Sequence, residues 1–281
     1  MKISILILIL CAIAGMADAV TVVVDPNNMD GWTFYSTDSS GTLNTGSNVG
    51  EMVNGPATPP LGVGSAHFMT TAGGGDGSEQ LRNTDWNGMP LASLTSLSYS
   101  TYATSIGGDQ LPFLNLYVST QGNGVFDDRL WFEPVYSSAG AGNGNPNPQP
   151  NISLNAWQTW NAFTGMWYTD SGTPDANAFP GQPNGPGDHA ITLAEFIAAY
   201  PNATIVNPAA GVGGIRLASG FSSAGDNYNT YVDKFTIGFN GVDTTYNFEP
   251  AAVPEPATVC LLGLGALGSV GLTYLRRNRR A

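Results

Sequence analysis

Cysteine, histidine and basic residues are all scarce in this chain of 281 residues, and each scarcity excludes a class of chemistry. The two cysteines, Cys11 and Cys260, lie in apolar segments near the two ends, so the region between them has no disulfide and no thiol chemistry. The two histidines, His67 and His189, have no second histidine at the spacing of a zinc-binding pair and no nucleophile-elbow motif nearby. We therefore expect neither a catalytic triad nor a zinc hydrolase.

Basic side chains are especially rare between residues 20 and 252. This region keeps 19 of the 21 acidic residues but only four of the nine basic ones, so its net charge is −15. Such a surface repels nucleic acid and anionic lipid, and we expect neither as a partner. Acidic side chains also suit divalent cations, although solubility alone explains the same composition.

Residues 1–19 have the pattern of a secretory signal peptide. Lys2 precedes an apolar core, Ile3–Ala14, and Ala17 and Ala19 form a small-x-small cleavage site. The sequence therefore predicts export through the Sec translocon, with the mature chain beginning at residue 20.

The C-terminal segment, residues 253–281, has three parts. An uncharged run of 17 residues, Val259–Leu275, is at the short end of the roughly 17–25 residues that cross a bilayer as a helix. Before the run stand Pro254, Glu255 and Pro256, and after it stand Arg276, Arg277, Arg279 and Arg280. By the positive-inside rule the arginines stay on the cytoplasmic side, so the rest of the chain lies outside the membrane.

This order of features resembles the PEP-CTERM sorting signal of Gram-negative bacteria, in which Pro-Glu-Pro precedes a membrane helix and a terminal arginine cluster. The resemblance implies processing by an exosortase, a membrane enzyme of bacteria that make extracellular polysaccharide. It also implies anchoring at the inner membrane and then delivery to the cell surface or the extracellular matrix. A plain C-terminal membrane anchor is the alternative.

Residues 20–252 read as one all-β domain, a jelly-roll-type β-sandwich with one short helix. Short segments rich in β-branched and aromatic residues alternate with Gly, Asn and Pro clusters, which is typical of sandwiches. The predicted strands are Val20–Val24, Gly31–Tyr35, Ala66–Thr71, Ser93–Ala103, Phe113–Thr120, Arg129–Val135, Asn155–Asn161, Gly214–Ala218, Tyr231–Phe239 and Thr244–Phe248. In the fifth of these, apolar residues alternate with Asn115 and Tyr117, the pattern of a half-buried strand.

The single helix is predicted to begin at Thr192. Thr192 and Glu195 have the spacing of a capping box, and Pro201 marks the end. The apolar stripe consists of Leu193, Phe196, Ile197 and Tyr200.

The early Asp30-Gly31-Trp32-Thr33 and the late Tyr231–Ile237 segment resemble the first and last strands of secreted carbohydrate-binding modules and concanavalin-like sandwiches. In several such families the aspartate of the last strand supports a structural calcium ion, a role that the resemblance would give to Asp233. By alternation Asp233 shares the apolar face of its strand, where a carboxylate needs a cation or several hydrogen-bond donors. Asp25, Asp30 or backbone carbonyls could complete a calcium site. The alternative is that Asp233 caps a loop or lies at the open end of the sandwich.

Four tryptophans are candidate sugar platforms, because sugars stack on flat aromatic faces beside polar groups. Trp131 alternates with apolar neighbours between Arg129 and Glu133, and three further tryptophans cluster after an Asn-rich loop. These three are Trp157, Trp160 and Trp167. A role in the sandwich core is the alternative for each of them.

The leading prediction is an exported structural or adhesive protein that contacts extracellular polysaccharide and is not an enzyme. The alternative is a secreted polysaccharide-degrading enzyme of the concanavalin-like class. Such an enzyme needs two carboxylates facing each other across a cleft. Glu51, Glu79, Asp127, Asp128 and Glu133 are available for this role, but their spacing does not pair them.

Overall fold

The computed structural model describes residues 19–37, 42–44, 50–70, 77–107, 110–139, 147–171, 190–220 and 227–251. The signal peptide up to residue 18, the sorting segment with its Pro-Glu-Pro and arginines, the 259–275 run and His189 lie outside these residues. Within the described part of the chain, no helix is both long enough and apolar enough to span a bilayer.

Strands dominate the described residues, which confirms the all-β prediction. In chain order the strands are β1 Val20–Val24, β2 Trp32–Thr37, β3 Leu43–Asn44, β4 Glu51–Asn54, β5 Gly64–Thr70, β6 Ser78–Asn83, β7 Leu94–Ser105, β8 Phe113–Ser119, β9 Asp128–Phe132, β10 Gln158–Asn161, β11 Met166–Thr169, β12 Ile191–Thr192, β13 Thr204–Ile205, β14 Ile215–Gly220, β15 Tyr228–Phe239 and β16 Val242–Phe248. The helices are α1 Pro134–Ser137, α2 Leu193–Ala199 and a single 3-10 turn, Leu91–Ser93.

The strands form two sheets. In the first sheet β15 is central: β7 pairs along one edge, while β5 and β16 pair with the two halves of the other edge. β4, β1 and β10 extend this sheet outward from β5, β16 and β7. The second sheet has the order β12-β11-β9-β8-β14-β6-β2-β3, with β13 also paired to β8.

The two sheets face each other across a core rich in aromatic rings. Trp32 of the second sheet meets three rings of the first sheet edge-on, with centroids 5.3–5.4 Å apart. These rings belong to Phe235, Tyr246 and Phe248, and all four side chains are buried. Edge-to-face pairs of this kind add about 0.5–1.5 kcal/mol each beyond the apolar area that they bury.

Strand β8 is buried on both faces, not on one as its alternation predicts. Leu114 and Leu116 enter the core, but Asn115 and Tyr117, on the opposite face, are buried as well. The outer face is covered because arginine side chains pack against it, the nearest being Arg82 over the Tyr117 ring.

A β-bulge in β15 changes which side chains enter the core. Alternation places Asp233 on the same face as Phe235, yet Val232 and Phe235 both lie in the core. Between them the pairing with β7 shifts register, and Lys234 adopts a left-handed φ of 52°. Tyr231 and Asp233 therefore share the outer face, and the prediction that Asp233 lies on the core face is wrong.

Helix α2 confirms the capping-box prediction. The Thr192 hydroxyl accepts a hydrogen bond from the Glu195 N–H at 3.2 Å, and the Glu195 carboxylate accepts one from the Thr192 N–H at 2.8 Å. Leu193 and Phe196 are buried, so this stripe fixes the helix to the domain.

The strand predicted to run to residue 135 ends at Phe132 instead. The short helix α1 follows with Pro134 as its first residue. Proline has no N–H to donate to a sheet but suits the first turn of a helix.

Candidate functional site

The predicted calcium ligand Asp233 is satisfied by backbone donors. Its Oδ2 accepts from the Leu61 N–H at 2.9 Å and its Oδ1 from the Phe248 N–H at 3.2 Å. Burial raises the pKa of Asp233 to about 6, although these bonds and one from the Lys234 N–H oppose the shift. The carboxylate thus links Leu61, in the segment before β5, to Phe248 at the end of β16 by hydrogen bonds.

Of the other two proposed ligands, Asp25 is hydrogen-bonded within a turn. Asp25 accepts hydrogen bonds from the N–H groups of Asn27 and Asn28 in a turn. Across the described residues, no three His, Cys, Asp or Glu side chains form a group that could hold a metal ion. Asp25, Asp30 and Asp233 therefore do not form such a group.

Two of the four candidate platform tryptophans are core residues. Trp160 and Trp167 are fully buried, and their indole N–H groups donate to Thr101 Oγ1 and the Ala162 carbonyl, both at 2.8 Å. A sugar cannot reach these rings, so the platform prediction is wrong for both.

Trp131 and Trp157 are half-buried and lie on the outer faces of different sheets. Trp131 belongs to the second sheet, and its neighbours Leu130 and Phe132 point into the core. Trp157 precedes β10 in the first sheet, contacts the Tyr102 ring and donates to the Pro56 carbonyl at 2.9 Å. The two rings therefore cannot form one platform.

On the outer face of the second sheet, strand pairing aligns a polar and aromatic row across six strands. Neighbouring members of the row are directly opposite each other in the sheet register. From β2 to β11 they are Thr33, Arg82, Arg216, Asn115, Trp131 and Tyr168. Tyr117 pairs with Arg129 on the same face. We call the surface formed by Arg82, Tyr117, Arg129, Trp131, Tyr168, Asp170 and Arg216 the Trp131 face.

Trp131 is held between aromatic and charged neighbours. Its ring stacks on Tyr168 with centroids 5.7 Å apart and an interplanar angle of 8°. Its N–H donates to Asp170 Oδ1 at 2.7 Å, and the Arg129 guanidinium lies 4.2 Å from the ring centroid. Tyr168 in turn donates a hydrogen bond to Glu133.

Three guanidinium groups surround the Tyr117 ring. Those of Arg82, Arg129 and Arg216 lie 4.9, 5.4 and 5.7 Å from its centroid. The Tyr117 hydroxyl accepts from Arg82 at 3.1 Å and from Arg129 at 3.2 Å. Burial would raise the pKa of Tyr117, but the three positive charges lower it below its ordinary value.

The arginines themselves have shifted pKa values. Burial and then repulsion from Arg82 and Arg129 lower the pKa of Arg216 to about 9, and burial also lowers the pKa of Arg82. Although burial would lower the pKa of Arg129, Tyr117 and the ion pair with Asp170 raise it. The face therefore concentrates positive charge in a domain that is acidic as a whole.

A second row of rings crosses the outer face of the first sheet. Opposite positions of β4, β5, β15 and β7 carry Glu51, His67, Tyr231 and Tyr102, and Trp157 follows. His67 stacks on Tyr231 with centroids 4.4 Å apart, so each ring covers one face of the other.

The row ends at a cavity of about 190 Å³ lined by Gly50, Glu51, His67, Met69 and Glu79. Burial first, and then the charge of Glu51, raise the pKa of Glu79 to about 7, although its bond from the Met69 N–H opposes this. The cavity therefore brings together two of the carboxylates that the sequence could not pair.

Sequence reasoning selected Trp131, with Arg129 beside it, but did not assign Arg82, Arg216, Tyr117 or Asp170 to a site. One signal was present: Arg82, Arg129 and Arg216 each stand next to a leucine, at positions where a strand points outward. Three of the region's four basic residues thus shared one pattern, but only the sheet register shows that they share one surface.

Residues 252–280 match the family model described as the PEP-CTERM protein-sorting motif, which confirms that prediction. The motif indicates an exported protein that is anchored at its C-terminus before sorting, and it implies processing by an exosortase. No curated protein matches the chain.

Two solved structures show a remote likeness. A crystal structure of the domains CD of another protein has 11% identity and a TM-score of 0.32, over 68% of this chain and 60% of that one. SGBP-B from a complex xyloglucan utilization locus in Bacteroides uniformis has 12% identity and a TM-score of 0.29, over 69% of this chain and 48% of that one. The chain spans less than two thirds of either protein, and a likeness this low identifies no shared ligand.

Proposed function

We propose that this protein is displayed at the cell surface or in the extracellular matrix and binds polysaccharide there through the Trp131 face, without catalysis. The observation that carries the proposal is the outward, half-buried Trp131 ring, stacked on Tyr168 and bonded to Asp170. The sorting motif supports delivery to a place where polysaccharide is abundant.

The chemistry of the face suits a sugar. A pyranose ring presents C–H groups that pack on an aromatic face and hydroxyl groups that need donors and acceptors at its edge. Trp131 and Tyr168 supply the aromatic surface, while Asp170 and Arg129 supply an acceptor and donors beside it. Their fixed geometry lowers the entropy lost on binding.

We also propose that the scaffold is a jelly roll. Successive strands from β5 to β8 alternate between the two sheets, β9 pairs with β8 in the second sheet, and β10 returns to the first. β14 and β15 then add one strand to each sheet. The resulting orders, β5-β15-β7-β10 and β6-β14-β8-β9, are those of eight strands wound as two Greek keys. In this scaffold the Trp131 face is the outer surface of the second four-strand set.

A polysaccharide-degrading enzyme is the second candidate. The observation that favours it is the cavity with Glu51 and Glu79, because a carboxyl group with a pKa of about 7 could act as a general acid at neutral pH. The two hypotheses predict different outcomes in one experiment.

The test measures binding and turnover together on a panel of purified neutral and acidic polysaccharides. Affinity electrophoresis and reducing-sugar release would be run on the wild type, W131A and W157A. We expect retardation by at least one polysaccharide, a loss of about tenfold or more in affinity for W131A, and no sugar release. Truncation of a central aromatic anchor costs about 2 kcal/mol or more.

W157A is the matched control, since Trp157 is equally half-buried and faces outward from the other sheet. Circular dichroism would verify that both variants fold. The proposal is wrong if no polysaccharide retards the domain, or if W157A alone weakens binding. Sugar release that is lost in E79Q would establish the enzyme instead.

A further inference from the structure

The distribution of charge on the domain is uneven. Lys234 is the one basic residue of residues 20–252 that lies away from the Trp131 face, whereas Arg82, Arg129 and Arg216 all contact Tyr117. In a region of net charge −15 this is a local positive surface. Guanidinium groups are the side chains best suited to bind carboxylate and sulfate, through paired N–H donors.

The hydrogen bonds described for Arg82 leave its charge unpaired with a carboxylate. Arg82 is buried, and its acceptors are neutral: the Gln80 amide, the Gly213 carbonyl and the Tyr117 hydroxyl. Arg129 forms an ion pair with Asp170 at 2.9 Å.

Two further carboxylates lie beside the cluster. Asp128 accepts a hydrogen bond from the Arg129 N–H, and Glu133 is influenced by Arg216 and accepts a hydrogen bond from Tyr168. Burial raises the pKa of Glu133, which favours its neutral form. Ionised Asp170 therefore remains the carboxylate that pairs directly with the Arg129 guanidinium.

Arg129 connects this charge to the surface. Its side chain is 22% exposed and that of Asp170 is 42% exposed, whereas Arg82 and Arg216 are buried beneath. Phe126, 40% exposed, lies beside the Tyr117 ring at 5.2 Å and gives the same surface an apolar edge. A ligand can therefore contact Arg129 directly, while the buried Arg82 and Arg216 attract its negative charge electrostatically from below the surface.

We propose that the Trp131 face selects polysaccharides that carry carboxylate or sulfate groups, with Arg129 contacting the acidic group and Asp170 competing with it. The proposal rests on the proposed function, because it names the class of glycan for the same face. The Asp170 carboxylate already forms an ion pair with the Arg129 guanidinium. An acidic group of a sugar must therefore displace Asp170 to bind Arg129. This gives two variants with opposite effects.

The test compares matched pairs that differ only in charge: polygalacturonate with its methyl ester, and dextran sulfate with dextran. Affinities would be measured at two salt concentrations for the wild type, R129Q, D170N and K234Q. We expect the acidic member of a pair to bind at least about tenfold more tightly. R129Q should lose about tenfold or more for the acidic member, as expected for a charge-assisted hydrogen bond.

D170N should bind the acidic member about threefold to tenfold more tightly, because asparagine keeps the Trp131 acceptor and removes the competing charge. K234Q removes the basic residue that lies on the other sheet and should change neither affinity. Neutral members can also lose hydroxyl contacts in R129Q and D170N, so the deciding quantity is the ratio of acidic to neutral affinity, which should fall in R129Q and rise in D170N.

Equal binding of the acidic and neutral members, or weaker acidic binding in D170N, would overturn this selectivity while leaving polysaccharide binding intact. Failure of every member to bind would overturn the proposed function as well. A loss caused equally by R129Q and K234Q would indicate attraction by general charge and not by this face.

Discussion

At the residue scale, buried carboxylates illustrate two different solutions. Asp233 is surrounded by backbone N–H donors, which offset part of the cost of desolvation. Glu79 has one such donor, from Met69, and also feels the charge of Glu51. Both pKa values are therefore raised, but Glu79 remains the more costly group to ionise.

Replacement of Glu79 by glutamine should stabilise the domain at alkaline pH. The pKa of Glu79 is about 7 when folded and about 4.3 in an unfolded chain, so its contribution is fully present below pH 4.3 and is lost as the pH rises through 7. Glutamine keeps the acceptor for the Met69 N–H without the charge. With partial exposure screening the effect, we expect E79Q to gain about 1–2 kcal/mol at pH 8 and nothing at pH 4.

Urea denaturation at pH 4, 6 and 8 would measure this gain. E51Q is the comparison: the Glu51 side chain is 70% exposed, so E51Q should gain only the smaller part that comes from the charge of Glu51 on Glu79. A gain for E79Q that is the same at all three pH values would contradict the assignment.

At the element scale, sequence patterns predicted the features that depend on contacts between residues close together in the chain. The capping box of α2 is such a signal, because Thr192 and Glu195 bond each other across three residues. The bulge in β15 is the opposite case: it depends on pairing with β7 and on the left-handed Lys234, and nothing in the apolar alternation reveals it. Strand β6 escaped prediction because polar and charged residues dominate its sequence, and β4 and β11 because each has only four residues.

The capping box yields a stability prediction. T192A removes the acceptor for the Glu195 N–H, and loss of such a cap costs about 1 kcal/mol. E195Q keeps a side-chain acceptor for the Thr192 N–H and should cost less than about 0.5 kcal/mol. Shifts in the urea midpoint would measure both variants, and equal losses would show that the box does not act as a pair.

At the scale of the whole molecule, packing of the two sheets carries the stability. The described residues contain no cysteine and no cluster of metal-binding side chains. Trp32 and the three rings around it join the sheets directly. The domain should therefore fold without an oxidant and without calcium.

We expect EDTA, added calcium and a thiol reductant each to change the melting temperature of the purified domain by less than about 1 °C. A ligand that binds only the folded state stabilises it in proportion to its occupancy, so removal of a structural calcium ion would lower the melting temperature clearly. Such a decrease in EDTA, reversed by calcium, would show that a metal site exists.

By itself the sequence determined the features that depend on order and spacing along the chain. These are the sorting motif, the all-β class, most strand positions, the helix cap and the outward position of Trp131. Each depends on residues that are close together in the chain, or on a hydrophobic repeat of two residues in strands and of three to four residues in helices.

Only the tertiary structure decided which distant residues share a surface. Arg82, Arg129 and Arg216 come together through strand register, which no local pattern encodes. The same packing buried Trp160 and Trp167 and turned Asp233 away from the core. The physical reason is that the burial of a residue depends on which side chains of other strands pack against it. The order of residues along the chain therefore predicted the elements, whereas the pairing of strands formed the Trp131 face.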